Sequence, residues 1–199
     1  THGKAVGPVE VQVSSGTQRF TLESVGSNLL HDPAIAGLAL NFRDVSERKV
    51  LEEQLRQLAF HDPLTLLANR SLFRNRVDHA LTLAQRTQQQ IAVMFLDLDN
   101  FKNVNDSLGH DAGDRLLQAA AQRLVQRTRS ADTVARLGGD EFAILIEGVT
   151  GAADVERVAV SITDSFAEPL LLDGAEVRVA ASIGVTFSCP EDTTEELLR

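Results

Sequence analysis

The 199-residue chain has little cysteine, no excess of basic residues and no long apolar run. Its single cysteine, Cys189, excludes an internal disulfide framework and a cysteine-rich zinc site, and fits a reducing compartment. The formal net charge of -9 argues against a binder of nucleic-acid polymers or anionic membranes, because such surfaces are basic. The chain lacks the roughly 18-residue apolar run of a transmembrane helix and the start of a signal peptide. We therefore expect a cytoplasmic segment without direct membrane contact, although a longer parent protein could be membrane-anchored.

What the chain does contain is typical of a globular protein. Hydrophobic residues make up 43% and charged residues 24% of the sequence, and the length allows one or two domains. The chain begins at Thr1 and stops at Arg199, just after an apparent helix start. We therefore expect both ends to be cut from a longer protein.

The first 45 residues predict three short strands. Apolar residues alternate from Val9 to Val13 and from Phe20 to Leu22, and Ile35 to Phe42 is a longer apolar stretch. Ser15 and Gly16 predict the turn between the first two strands. Three strands in 45 residues are part of a sheet and are too few for a complete domain.

A helix is predicted from Glu47 to Ala59, with Asp44 or Ser46 as its cap. Its leucines form one apolar stripe on an otherwise polar helix, at Leu51, Leu55 and Leu58. Two interpretations are open: a surface helix packed on its own domain, or a short parallel coiled coil that joins two chains. Two heptads are too few to decide between them.

From Phe60 onward the pattern changes to long alternating elements in the order α-β-α-β-β-α-β. This order predicts an α/β sandwich in which helices cover a mainly antiparallel sheet. The predicted segments are residues 70–87, 91–96, 114–127, 133–137, 142–146, 154–166 and 177–187.

Two acidic groups follow apolar strands. Asp97 and Asp99 end one strand ahead of Lys102, and Asp140 and Glu141 follow two glycines in a predicted hairpin. Each group alone could be a solvated strand end or turn. If the hairpin pairs beside the first strand, its acids meet Asp97 at one rim. Convergent carboxylates repel one another unless a divalent cation is present, which suggests a metal–nucleotide site.

A polar loop with two glycines is predicted from Asn103 up to the helix start at Asp114, and it offers a second set of candidates. Asn105 can donate and accept, and Asp114 can accept two N–H bonds, which suits the edge of a guanine. Alternatively, Asn105 is a turn residue and Asp114 is an acid favoured at a helix N-terminus.

Several arginines concentrate before the next strand. Arg129 and Asp132, close to Arg123 and Arg127, could form a surface ion pair or clamp phosphates and a purine.

Taken together, these motifs resemble the GGDEF domains, the diguanylate cyclases of bacteria. The resemblance covers residues 60–199. It rests on Arg136-Leu-Gly-Gly-Asp-Glu-Phe142, Asp62-Pro-Leu-Thr65, Asn69-Arg70, Asp97-Leu-Asp-Asn-Phe-Lys102, Asn105-Asp106, Gly109-His-Asp111, Gly113-Asp114 and Ser182-Ile-Gly-Val185. Residues 1–45 resemble the C-terminal strands of a PAS sensor domain, and residues 46–59 resemble the linker helix that joins PAS to GGDEF domains.

The resemblance implies a nucleotidyl-cyclase or palm-like fold and a set of site residues. It implies Mg²⁺, or Mn²⁺, on Asp97, Asp140 and the Leu98 carbonyl, with Asp140 and Glu141 catalytic. The implied substrate-binding residues are Phe101, Lys102, Asn105, Asp114, Gly138 and Gly139. Arg129 and Asp132 match the inhibitory site that binds the product, cyclic di-GMP.

The implied activity is the condensation of two GTP molecules into cyclic di-GMP and two pyrophosphates. Because each domain binds one GTP, it requires a homodimer, for which the linker helix is the expected contact. The alternatives are a non-catalytic GTP- or cyclic-di-GMP-binding regulator, a partner-binding signalling module, and a domain that precedes a phosphodiesterase. Family members continue past the position of Arg199, so we expect the segment alone to be impaired as an enzyme.

Overall fold

The computed structural model describes residues 5–172 and 175–199. The first four residues of the expected PAS segment, and residues 173 and 174 of the expected GGDEF domain, lie outside this described part. The chain divides into two compact units, with the boundary between Gln57 and Leu58. None of the helices in the described ranges combines the length and the apolar character that a bilayer crossing requires.

The first unit contains a three-stranded antiparallel sheet. Its strands are β1 (Ala5–Ser15), β2 (Gln18–Leu29) and β3 (Gly37–Asp44), in that order across the sheet. Val9 and Phe42 both pair with Ser24, so their side chains point to the same face. The period-two pattern adds to that face the exposed apolar side chains of Val11, Val13, Leu38 and Leu40.

Helix α1 (Ser46–Phe60) follows the sheet and extends the predicted helix by one residue at each end. The Asp44 carboxylate accepts a hydrogen bond from the Ser46 N–H at 2.9 Å. Hydrogen bonds from the Ser46 side chain and backbone lower the pKa of Asp44. No residue of α1 is buried.

The second unit contains a four-stranded antiparallel sheet, a two-stranded ribbon and flanking helices. Its elements are α2 (Arg70–Thr87), β4 (Gln90–Leu98), α3 (Phe101–Leu108), α4 (His110–Arg127), β5 (Thr133–Gly138), β6 (Glu141–Val149), α5 (Ala152–Ala167), β7 (Leu170–Leu172), β8 (Ala175–Val177), β9 (Ala181–Phe187) and α6 (Thr194–Leu197). The strand order of the larger sheet is β5-β6-β4-β9. Strands β7 and β8 form the separate ribbon.

The sheet is covered on both faces, and this explains why β4 is a continuous apolar run. Met94 packs into the core cluster that contains residues of α4 and α5, whereas Val93 packs into the cluster that contains residues of α2. Both side chains are fully buried. The predicted α/β sandwich with a mainly antiparallel sheet is confirmed.

Two local predictions were wrong. The segment predicted as a polar loop from Asn103 forms most of α3, and α4 begins at His110 instead of Asp114. Gly109, with a φ of 85°, separates the two helices. The apolar stretch 177–187 is not one strand, because β8 ends at Val177 and β9 begins at Ala181.

Candidate functional site

The predicted acidic rim lies where β4 ends. Asp97 stands opposite Glu141 of β6 on one side and Ser182 of β9 on the other. The Leu98 N–H donates to the Asp140 carbonyl oxygen at 3.4 Å, which joins the end of β4 to the hairpin tip. The sheet register therefore brings Asp97, Asp140 and Glu141 to one edge.

Negative charge is concentrated at this edge. Partial desolvation, followed by the like charges of Asp140, Asp99 and Glu141, raises the pKa of Asp97. Carboxylate and carbonyl oxygens are the ligands that a hard divalent cation prefers, so the donor types fit the expected metal. Within the described ranges, however, no three His, Cys, Asp or Glu side chains form a preassembled metal cluster. The rim provides suitable donor atoms, but its described side chains do not form a preassembled coordination site.

Asp99 has a different role from Asp97. Its carboxylate accepts a hydrogen bond from the Ser182 hydroxyl at 2.8 Å, and its N–H donates to the Ala180 carbonyl at 2.9 Å. Asp99 therefore ties the end of β4 to the start of β9.

The hairpin tip has a backbone that requires glycine. Gly138 and Gly139 have φ values of 143° and 54°, which side-chain-bearing residues rarely adopt. A Cβ atom at either position would meet no heavy atom within 4 Å, so the surrounding space is open. The tip is therefore accessible to a ligand that approaches the backbone closely.

Arg136 fastens this tip to the loop that precedes α2. Its Nη2 and Nε donate to the Gly139 carbonyl at 2.8 and 3.0 Å, and its Nη1 donates to both carboxylate oxygens of Asp62 at 3.0 and 3.2 Å. Burial opposes ionisation of Asp62, but hydrogen bonds from Thr65 and Arg136 outweigh it and lower the Asp62 pKa. The prediction of the site residues missed this clamp, although both residues belong to motifs that carry the family resemblance.

A cleft of about 550 Å³ opens beside the rim. Asp97, Glu141 and Ser182 line it together with Arg70 and apolar residues of the sheet. Arg70 was not among the predicted site residues.

Helices α3 and α4 place the remaining substrate candidates. Phe101 and Lys102 begin α3, directly after the acidic end of β4, and the side chain of Asn100 does not cap the helix. Asn105 of α3 packs against Gly113 of α4. A Cβ atom on Gly113 would come within 1.9 Å of the Asn105 Oδ1. The structure thus places the Asn105 amide beside the residue that precedes Asp114.

Arg129 and Asp132 form a compact turn between α4 and β5. The Asp132 carboxylate accepts a hydrogen bond from the Arg129 backbone N–H at 2.9 Å, and Arg129 is exposed. Arg123 does not belong to this turn. Its guanidinium donates to the carbonyls of Ser165, Glu168 and Pro169, which gives it a structural role.

The family model described as "Diguanylate cyclase, GGDEF domain" matches residues 59–199. The chain therefore belongs to the GGDEF family.

Curated relatives and solved structures agree with this assignment. "Diguanylate cyclase TpbB" of Pseudomonas aeruginosa is 44% identical over 144 residues, which cover 71% of this chain and 33% of TpbB. The solved GGDEF domain of TpbB, at 45% identity, has a TM-score of 0.67 and covers 69% of this chain and 81% of that one.

Two further similar proteins combine diguanylate cyclase activity or a GGDEF domain with another activity or segment. "Bifunctional diguanylate cyclase/cyclic di-GMP phosphodiesterase MucR" of Pseudomonas aeruginosa is 46% identical over 134 residues, which cover 67% of this chain and 19% of MucR. The coiled coil and GGDEF domain of DgcB from Caulobacter crescentus, solved with c-di-GMP, has a TM-score of 0.71 at 26% identity, covering 77% of this chain and 82% of that one. The chain thus spans a third or less of the two curated relatives.

Proposed function

We propose that this chain is the catalytic part of a diguanylate cyclase, which condenses two GTP molecules into cyclic di-GMP and two pyrophosphates. The observation that carries the proposal is the acidic rim, where Asp97, Asp140 and Glu141 meet beside an open glycine turn and a cleft. The presence of all three acids favours catalysis over a regulator that only binds nucleotide. Membership of the GGDEF family supports the same conclusion.

The reaction joins the 3′-hydroxyl oxygen of each GTP to the α-phosphorus of the other. Each step forms one P–O bond, breaks the bond to pyrophosphate and releases the hydroxyl proton. Mg²⁺ or Mn²⁺ held by Asp97, Asp140 and the Leu98 carbonyl would offset phosphate charge and favour the hydroxyl's deprotonation. Glu141 lies at the same rim and would serve as a further ligand or as the proton acceptor.

The remaining candidates would hold the nucleotide. The N-terminus of α3, with Phe101 and Lys102, provides backbone N–H groups and one cation for the phosphates. Asn105 and Asp114 provide an amide and a carboxylate for the guanine edge. Gly138 and Gly139 let the substrate approach the hairpin backbone.

We propose that residues outside the cleft regulate the cyclase activity. The exposed Arg129 at the turn fixed by Asp132 would bind cyclic di-GMP as an inhibitory product. Residues 1–45 would be the C-terminal part of a PAS sensor domain, residues 46–59 a signalling helix that brings two chains together, and residues 60–199 the GGDEF domain. The exposed apolar face of the β1–β3 sheet supports the assignment of residues 1–45 to part of a larger domain, because further protein would have to bury that face.

A test uses the natural full-length protein with GTP and Mg²⁺, and measures cyclic di-GMP by chromatography. Asp140→Ala should abolish product while its circular dichroism spectrum stays unchanged, because the rim loses a proposed metal ligand. Arg129→Ala is the control: it should keep the initial rate but continue synthesis as product accumulates. Full activity of Asp140→Ala would refute the metal assignment, and unchanged inhibition in Arg129→Ala would remove Arg129 from the product site.

A further inference from the structure

Arg70, the first residue of α2, reaches across to the hairpin tip. Its Nε donates to the Leu137 carbonyl at 3.3 Å, and its Nη2 lies 3.5 Å from the Glu141 Oε2. These two acceptors flank the Gly138–Asp140 tip on either side. A single guanidinium therefore contacts both ends of the segment that carries the signature acids.

The backbone beneath Arg70 is firmly placed. Asn69 caps α2 by accepting a hydrogen bond from the Leu72 N–H, and its amide donates to the Ala59 carbonyl at 2.9 Å. Just before it, Ala68 bridges to β5, where its carbonyl accepts from the Arg136 N–H at 2.9 Å. Arg70 thus projects from a segment that is attached to the strand leading into the hairpin.

Arg70 differs in charge from the other described residues that line the cleft. Among the described residues that line the cleft, Arg70 has the one cationic side chain, and the acids Asp97 and Glu141 line the same cleft. The side chains of Arg70 and Glu141 are 69% and 57% exposed. Exposed ion pairs contribute little to stability, so the pair is better explained by the position it gives Glu141 than by folding.

We propose that Arg70 is a positioning residue that holds Glu141 and the hairpin tip in place at the cleft. Its planar fork serves two acceptors at once, the Leu137 carbonyl and the Glu141 carboxylate, which a lysine ammonium at the same position cannot reproduce in the same geometry. The role in catalysis rests on the proposed function, whereas the role in ordering the tip does not.

The matched variants are Arg70→Ala, Arg70→Lys and, as control, Arg74→Ala. Arg74 lies one turn further along α2 and pairs with Glu195, at 2.6 Å, instead of Glu141. Removing it deletes the same side chain from the same helix without touching Glu141. All variants are made in the full-length protein, and their melting temperatures are compared first.

Two readouts follow. Hydrogen exchange of the tip amides, residues 138–141, should be several-fold faster in Arg70→Ala and in Arg70→Lys than in the wild type and in Arg74→Ala. The kcat for cyclic di-GMP should fall by about 10- to 100-fold in Arg70→Ala, because misplacing a reacting group costs rates of that order. The KM for GTP should change far less, and Arg74→Ala should match the wild type in both parameters.

The outcomes separate the two proposals. Unchanged exchange at the tip in Arg70→Ala would overturn the inference, and so would full rescue of kcat by Arg70→Lys. If the wild type makes no cyclic di-GMP, the proposed function fails, and the exchange rates alone decide whether Arg70 orders the tip.

Discussion

At the scale of single residues, Gly113 shows how one missing side chain shapes a binding position. A Cβ atom there would lie 1.9 Å from the Asn105 Oδ1 and 3.3 Å from the Phe101 Cζ. Glycine is unfavourable inside a helix, so its place in α4 is explained by this close approach. The guanine-reading role proposed for Asn105 therefore depends on Gly113.

We expect Gly113→Ala to separate stability from recognition. Alanine favours the helix by about 1 kcal/mol, which offsets the cost of moving the Asn105 amide, so the free energy of unfolding should change by less than about 1 kcal/mol. The KM for GTP should rise by roughly tenfold, because a displaced amide leaves part of the guanine edge unpaired. Steady-state kinetics and urea denaturation measure the two effects.

Gly109→Ala is the contrasting control, because its site is open but its φ of 85° disfavours alanine. It should lose stability through backbone strain without a direct clash at Asn105. A Gly113→Ala variant with an unchanged KM would argue against Asn105 as the guanine reader.

Sequence reasoning located the acids of the site but not the groups that hold them. Asp97, Asp140 and Glu141 could be placed together because strand ends and a hairpin have simple geometry. Their roles as ligand or catalyst stay predictions. The contacts of Arg136 with Asp62 and of Arg70 with Glu141 join residues that are 74 and 71 positions apart. No local pattern encodes such pairs, so the structure was needed to find them.

At the scale of elements, the predictions succeeded where an apolar pattern is strong. The apolar stripe of α2 and the apolar run of β4 were predicted within one or two residues of their bounds. Helix α3 was missed because it has only eight residues, and β7 and β8 because they have three residues each. Short elements depend on their tertiary neighbours, which a sequence window does not contain.

Helix α5 depends on a neighbour at its C-terminal end. Its last turn contains no basic residue, and the Arg123 guanidinium of α4 donates to the carbonyls of Ser165 and Glu168 at 2.7 Å and of Pro169 at 3.0 Å. Carbonyls at a helix end need partners and favour positive charge. Arg123 also lies 5.9 Å from the ring centroid of Phe166.

We therefore expect Arg123→Ala to lower the free energy of unfolding by about 2–3 kcal/mol, because charge-assisted hydrogen bonds to several carbonyls are lost together. Urea denaturation followed by circular dichroism measures this. Arg127→Ala, an exposed position one turn later on α4, should change stability by less than about 0.5 kcal/mol. Equal effects of the two substitutions would contradict the proposed role of Arg123.

At the scale of the whole molecule, an acidic chain is proposed to bind a polyanionic substrate. The net charge of -9 disfavours a nucleic-acid polymer, yet GTP is strongly anionic. A divalent cation between the rim and the phosphates would reconcile the two, with Lys102 as a nearby cation. The requirement for two GTP molecules then makes the arrangement of two chains part of the proposed activity.

Helix α1 carries the surface proposed for that pairing. Leu51, Leu55 and Leu58 are 52%, 66% and 67% exposed, and they share one stripe on a helix without buried residues. Leucines at these spacings are stabilised when a second helix covers them. The coiled coil proposed above would cover this stripe.

We expect the double substitution of Leu55→Lys and Leu58→Lys to weaken self-association of the full-length protein by at least tenfold, because charge in an apolar seam is costly. Sedimentation velocity measures the dissociation, and specific activity should fall most steeply at low protein concentration, since two domains must meet. Gln57→Lys, on the same helix but off the stripe, should leave both properties near the wild type. If the double variant stays dimeric and fully active, α1 is not the contact that brings the two active sites together.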